Sequence, residues 1–239
     1  MPYRRLPNTD LARLRALRIA FEKGKELPPF QLAFSQATLQ KIQTNLHIFE
    51  AAVQESRQAY NIQILKSQEY IKLLKKVKLY MSHFVQVTNM AIIRGELSKS
   101  DCEYFGFAHG QKVPSFNSEK EVIIWGAKLV QGETLRIKNR LTPIVNPSIA
   151  VVKVWYEKFL DANMFQKNLQ KNLQRSQKSL IGLRKIVDSI ISQIWNEVEQ
   201  HYQDQPDEVK RNNSKIYGIV YFFRKNELPA KSLSGTLPG

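Results

Sequence analysis

Residues 61–77 read NIQILKSQEYIKLLKKV, and how this stretch is read decides the fold. Upstream of it, Ile42, Leu46, Phe49 and Val53 alternate steps of four and three, the apolar seam of a helix that packs on another helix. Downstream, Leu74, Val77, Met81, Phe84 and Val85 make a second seam. Over 61–69 the apolar phase lapses, although the chain from Ser35 to Glu96 holds no proline and no glycine before Gly95. One continuous helix of about 60 residues would be about 90 Å long at its rise per residue, out of scale with a chain of 239 residues. The pattern therefore predicts two antiparallel helices joined by a tight polar turn near 61–69, a helical hairpin over 35–96.

The second half of the chain repeats this organisation. Val151, Val154, Trp155, Phe159, Ala162 and Met164 lie near one helix face, and QKNLQKNLQRSQ (166–177) is again polar. A long stripe of Leu180, Leu183, Ile186, Ile190, Ile194 and Val198 follows. SQEYIKLLKKV (67–77) also has a near copy 109 residues later, SQKSLIGLRKI (176–186), with Ser67/Ser176, Gln68/Gln177, Leu74/Leu183 and Lys76/Lys185 identical. These features predict a second hairpin over 147–203 and an internal duplication. Two amphipathic hairpins bury their stripes most simply as a four-helix-bundle-like domain, so the expected fold is mainly α.

The flanking segments have their own signals. In the arm 1–34, Asn8-Thr9-Asp10 announces a short helix that Gly24 should close, and Pro28-Pro29 cannot continue it. Residues 97–146 read as a small irregular insert, with a short helix starting near 119 from the capping-box pattern Ser118-Glu119-Lys120-Glu121. The C-terminal segment 204–228 opens with a turn at QDQPDE (203–208) and carries IYGIVYFF (216–223), which reads as a strand or extended packing segment. Residues 229–239 read as a disordered tail.

Composition bounds the function. An apolar fraction of 43% and a charged fraction of 24% suit a globular protein. No apolar run reaches the length of a membrane span, and MPYRRLPNTD lacks the apolar core of a signal peptide. The single cysteine, Cys102, suits a reducing compartment. A cytoplasmic protein with no membrane contact is the expectation. No P-loop, GxGxxG, HExxH or GxSxG motif occurs, and none of the four histidines follows a glutamate by three residues as a di-iron bundle requires. His83 in MSHFV reads as a packed or hydrogen-bonded histidine, and Trp125, Trp155 and Trp195 as core or interface aromatics. No catalytic residue, cofactor or metal is expected, and an enzyme built around Cys102, Tyr104 and His109 is the least favoured class.

A net charge of +15 raises the question of a polyanionic partner. The excess is spread along the chain but has two acid-free windows, from Glu69 to Glu96 and from Asp161 to Asp188. Lys72, Lys75, Lys76 and Lys78 lie in the first; Lys171, Arg175, Lys178, Arg184 and Lys185 lie in the second. With the hairpins in parallel register, both windows would share one basic tip able to hold a phosphate backbone. Solvated lysines on outward faces are the plainer reading. The N-terminal Arg4, Arg5, Arg13, Arg15 and Arg18 pose the same choice, with packing of the intervening leucines favoured. The YRRLPNTD start, KLYMSHFVQVTNMAIIRGE (78–96), the IIWG…GETLR stretch (123–136) and IYGIVYFFRKNE (216–227) together resemble a group of uncharacterised bacterial helical proteins. That resemblance implies a whole-chain architecture and carries no function or site residue. The expected function is non-catalytic: a structural or interaction protein that binds a protein partner or itself, with nucleic-acid association through the basic tip as the alternative.

Overall fold

The structure, a computed structural model, describes residues 3–107 and 114–223. The tail 229–239 and His109 lie outside the described residues. The chain is mainly helical: α1 (Asp10–Glu26), α2 (Gln36–Ile93), α3 (Glu119–Lys138), α4 (Ile149–His201) and α5 (Asp207–Lys215), with a 3-10 helix over Lys99–Phe105. Two short strands, β1 (Tyr3–Arg4) and β2 (Tyr221–Phe222), pair antiparallel with Tyr3 opposite Phe222 and Arg4 opposite Tyr221. No helix among the described residues is long and apolar enough to cross a membrane.

Neither expected hairpin forms. The segment 35–96 is one helix, α2, of 58 residues, and 147–203 is essentially one helix, α4, of 53. The polar interludes contain no helix breaker, and Gln, Lys, Asn and Glu all stay helical when nothing forces a turn. The seam keeps its step and changes its chemistry. Beyond buried Val53, the half-buried positions are Ser56, Ala59, Gln63, Lys66 and Ser67, leading to buried Tyr70. In α4 the same spacing runs through Asn163, Gln166, Leu169, Leu173, Ser176 and Leu180.

Other boundaries match or move slightly. Thr9 caps α1, its hydroxyl accepting from the Ala12 N–H at 3.2 Å. Gly24 does not end α1 but sits inside its last turns, where it lies against the Leu39 side chain. Ser118 and Glu121 close the capping box of α3, which runs for 20 residues. Within IYGIVYFF, only Tyr221 and Phe222 pair as strand, while Tyr217 and Ile219 enter the core.

The chain divides into two compact units, Met1–Gln58 with Gln174–Gly239, and Ala59–Leu173. In the first, α1 runs antiparallel to α2, with Arg18 bonded to Glu50, and parallel to α4, with Arg13 and Arg184 reaching Asp188 and Asp10. Its core gathers Leu14, Leu17 and Ala20 of α1, Ile42 and Phe49 of α2, and Ile191, Ile194 and Trp195 of α4. Glu197 ties α4 to the start of α2, accepting from the Ser35 N–H at 2.7 Å and the Thr38 hydroxyl at 2.8 Å. Burial would raise that carboxyl, and these donors, with Gln193, hold it below its usual value.

The second unit repeats the plan with α3 in the place of α1. Tyr70 stacks on Phe159 and Tyr80 on Trp155, so α2 and α4 run antiparallel there too. Tyr156 donates to the Ile123 carbonyl at 2.8 Å, and Gly126 exists because any Cβ would enter the Tyr156 ring. Each unit thus packs a short helix, α1 or α3, against segments of α2 and α4, in place of two helical hairpins.

The internal repeat has a different register and a different unit from those expected. Buried positions recur 110 residues apart: Ile42/Val152, Leu46/Tyr156, Phe49/Phe159, Tyr70/Leu180, Val77/Val187, Met81/Ile191 and Phe84/Ile194. At 109 residues, exposed Ile71 would align with buried Leu180, and buried Val77 with exposed Ile186. One residue of shift turns a helix by about 100°, so only one spacing can keep the same face inward. What recurs is a short capped helix followed by a long one, α1–α2 and then α3–α4.

Candidate binding groove

The nine basic residues singled out from the sequence fall on α2 and α4 and are divided between the two units. Lys72, Lys75, Lys76, Lys78 and Lys171 belong to the second unit, and Arg175, Lys178, Arg184 and Lys185 to the first. With no hairpin turn at 61–69 or 166–177, the argument that gathered them at one tip loses its basis. Three already have neighbours. Arg184 grips Asp10 with two bonds of 2.7 Å, Lys78 donates to the Asn117 carbonyl at 2.6 Å, and the Lys76 ammonium sits 3.9 Å from the Trp155 ring centre. Lys72, Lys75, Lys171, Arg175, Lys178 and Lys185 are exposed and make no hydrogen bond or ion pair among the described residues.

Other sequence candidates resolve individually. Cys102 lies on the buried side of the 3-10 helix, and burial together with Asp101 pushes its thiol up, against only partial relief from Arg136. That is the reverse of what a nucleophilic thiolate needs. His83, expected in a packed position, is exposed. Trp195 is fully buried, whereas Trp125 and Trp155 are half-buried against the second core. No group of three or more metal-ligating side chains occurs among the described residues.

The N-terminal arginines separate into two classes. Arg4 reaches Glu199 at 3.0 Å, Arg13 takes Asp188 through two bonds, and Arg18 pairs with Glu50. Arg5 and Arg15 instead face a groove in the first unit. Arg5 lies over the Phe222 ring, 5.6 Å from its centre, and Arg15 makes no ion pair among the described residues.

Four stretches of the chain build this groove. Arg5 to Asn8 leave β1 along one side, with the Arg5 N–H bonded to the Val220 carbonyl at 3.1 Å. From α1 come Ala12, Ala16 and Ile19, spaced at i, i+4 and i+7, so two small residues leave a recess on the helix stripe. Lys215 at the end of α5, then Gly218 to Phe222, close the other side, with Trp195 and Ile219 as floor. Gly218 has φ +85 and passes close to Ile19; a side chain there would be strained by the backbone and crowded.

The cavity measures about 380 Å³, within the usual range for a small-ligand site. Its floor and walls are apolar, its rim carries Arg5, Arg15 and Lys215, and no acidic residue lines it. A larger cleft of about 470 Å³ at the start of α1 also holds Arg13, Arg57 and Arg184. There the charge is already answered: Arg184, through its hydrogen bonds, lowers the Asp10 carboxyl below its usual range, and Asp188 holds Arg13. In the groove, Arg5, Arg15 and Lys215 make no ion pair among the described residues. Sequence reasoning missed it because its lining comes from residues 5–19, 195 and 215–222. The local signals were Arg5 and Arg15 among the N-terminal arginines, and Ala12 and Ala16 standing among the leucines of α1.

Comparison with protein-family models, with curated proteins and with solved structures finds no match for this chain.

Proposed function

We propose that the protein is a non-catalytic interaction protein that works by binding, and that its recognition site is the groove of the first unit. The observation that carries this reading is the rim of Arg5, Arg15 and Lys215, with no acidic residue in the lining, over a floor of Trp195 and Ile219. Such a surface favours an anionic group attached to an apolar body: the anion gains charge-assisted hydrogen bonds and the body leaves water. The anionic dye 8-anilinonaphthalene-1-sulfonate has that chemistry. Wild type should bind it saturably, and Arg15→Glu and Lys215→Glu should each weaken it about tenfold, whereas Lys178→Glu on α4 should not. No saturable binding, or equal weakening by all three variants, would remove the reading.

A second reading keeps the polyanion alternative. The six exposed basic residues without partners support contact with a phosphate backbone, as two sets on separate units. Electrophoretic mobility of duplex DNA and RNA against salt tests it: replacing Lys72, Lys75, Lys178 and Lys185 with Gln should flatten the salt dependence. No retardation at low salt would discard this reading.

A further inference from the structure

We infer that the groove takes a single acyl or alkyl chain bearing an anionic head, the head held by the rim cations and the chain laid along α1 toward Trp195. The inference rests on the reading of the groove as the recognition site and adds the ligand class. Three observations select this class over an acidic peptide.

The first is the poverty of hydrogen-bonding groups inside. Apart from the three cations and Asn8, the lining side chains are apolar or glycine. In the adjoining strand pair the Arg5 N–H is already bonded to the Val220 carbonyl. A peptide entering the recess would bury amide groups without partners, and each such group is costly. A hydrocarbon chain asks for none.

The second is size. A cavity of about 380 Å³, at the roughly 30 Å³ that a water-sized group occupies in a liquid, holds on the order of a dozen such groups. That matches one medium-length chain. It is too small to enclose both chains of a two-chain lipid.

The third is the separation of charge from floor. The cations are exposed at the rim, while Ala16, Trp195 and Ile219 beneath them are buried. A ligand that satisfies both must carry its charge at one end.

The test is isothermal titration calorimetry of the full chain with dodecanoate, dodecyl phosphate, dodecanol and dodecylammonium, each below its critical micelle concentration. Dodecanoate or dodecyl phosphate should bind with one site per chain, and comparison of the two identifies the preferred head. Dodecanol and dodecylammonium should bind at least about tenfold more weakly. Affinity should rise about fourfold per added methylene from six carbons upward and then level off once the recess is full. Ala12→Leu, which fills the recess, should abolish binding, and Arg15→Gln should remove the preference for dodecanoate over dodecanol. Far-ultraviolet circular dichroism confirms folding of both variants. In a Trp125→Phe/Trp155→Phe background the emission of Trp195 should shift on binding, which places the chain at the floor.

Equal affinity for dodecanol and the anions, or a steady rise in affinity with no plateau, overturns the inference. So does an unchanged Ala12→Leu variant. Failure of every alkyl anion, with the sulfonated dye still bound and still lost in Arg15→Glu, overturns the ligand class and leaves the groove as the recognition site. Failure of the dye as well removes both.

Discussion

Arg136 shows how much of the second unit depends on single side chains. It is fully buried, bonded to Glu133 at 2.7 Å, to Asp101 at 3.3 Å and to the Thr142 carbonyl at 3.3 Å. Glu133 is equally buried and accepts the Ile144 N–H at 2.8 Å, while Asp101 also caps the 3-10 helix through the Ser98 N–H. One guanidinium therefore fastens the 3-10 helix, α3 and the loop before α4. Desolvating these charges is expensive, so the arrangement specifies geometry more than it adds net stability. Removing one member is another matter, because two carboxylates then stay buried unpaired. Arg136→Leu is expected to destabilise the fold by about 3–5 kcal/mol, read by urea denaturation; a change below about 1 kcal/mol would show that water compensates the site. Nothing in the sequence marked this arginine, since Glu133 is local but Asp101 lies 35 residues away.

Helix α2 is the element on which sequence and structure differ most. The segment 61–69 looked like a turn because its apolar phase lapsed, yet helix continuity depends on backbone hydrogen bonds that Gln, Lys and Asn do not interrupt. The distinction is measurable. Gln63→Pro would be nearly neutral in a turn, but inside α2 it is expected to cost about 3 kcal/mol or more through the lost hydrogen bond and the ring clash. A melting temperature within error of wild type would restore the hairpin. Gly182 offers the reverse case in α4. It is exposed mid-helix, and a Cβ there meets nothing within 4 Å. Gly182→Ala should therefore stabilise the protein by about 0.5–1 kcal/mol, checked by the same denaturation; a loss of stability would mean that the residue has a role beyond the helix.

Across the whole molecule, phenols report on both cores. Burial first, and then carboxylate or phenol neighbours, push Tyr70, Tyr202 and Tyr221 up to about 12. A folded-state value above the unfolded value of about 10 contributes stability that is complete below pH 10 and is lost as pH rises through 12. Of nine tyrosines, these three should remain protonated at pH 11 while the chain is folded, seen as a delayed ionisation step at 295 nm after a pH jump. A single step near pH 10 for all nine would contradict the burial of these rings. The helical character of the chain was legible in its sequence, as were the caps Thr9 and Ser118 and the apolar positions from Ile42 to Val53. Periodicity reports which residues share a face, and capping chemistry is local, so both can be read from letters alone. The register of the repeat could not be read that way, because spacings of 109 and 110 each align identical residues; burial separates them, with Tyr70/Leu180 and Val77/Val187 inward and Ile71/Ile181 outward. Nor could the groove, whose apolar floor and cationic rim acquire meaning only when α1, α4 and the segment after α5 meet. By itself the sequence determined helices, caps and stripes, which arise from interactions within a few residues. Only the tertiary structure decided which stripes face each other, where Arg136 finds its carboxylates and where Arg15 finds none, because those energies depend on distances between residues remote along the chain.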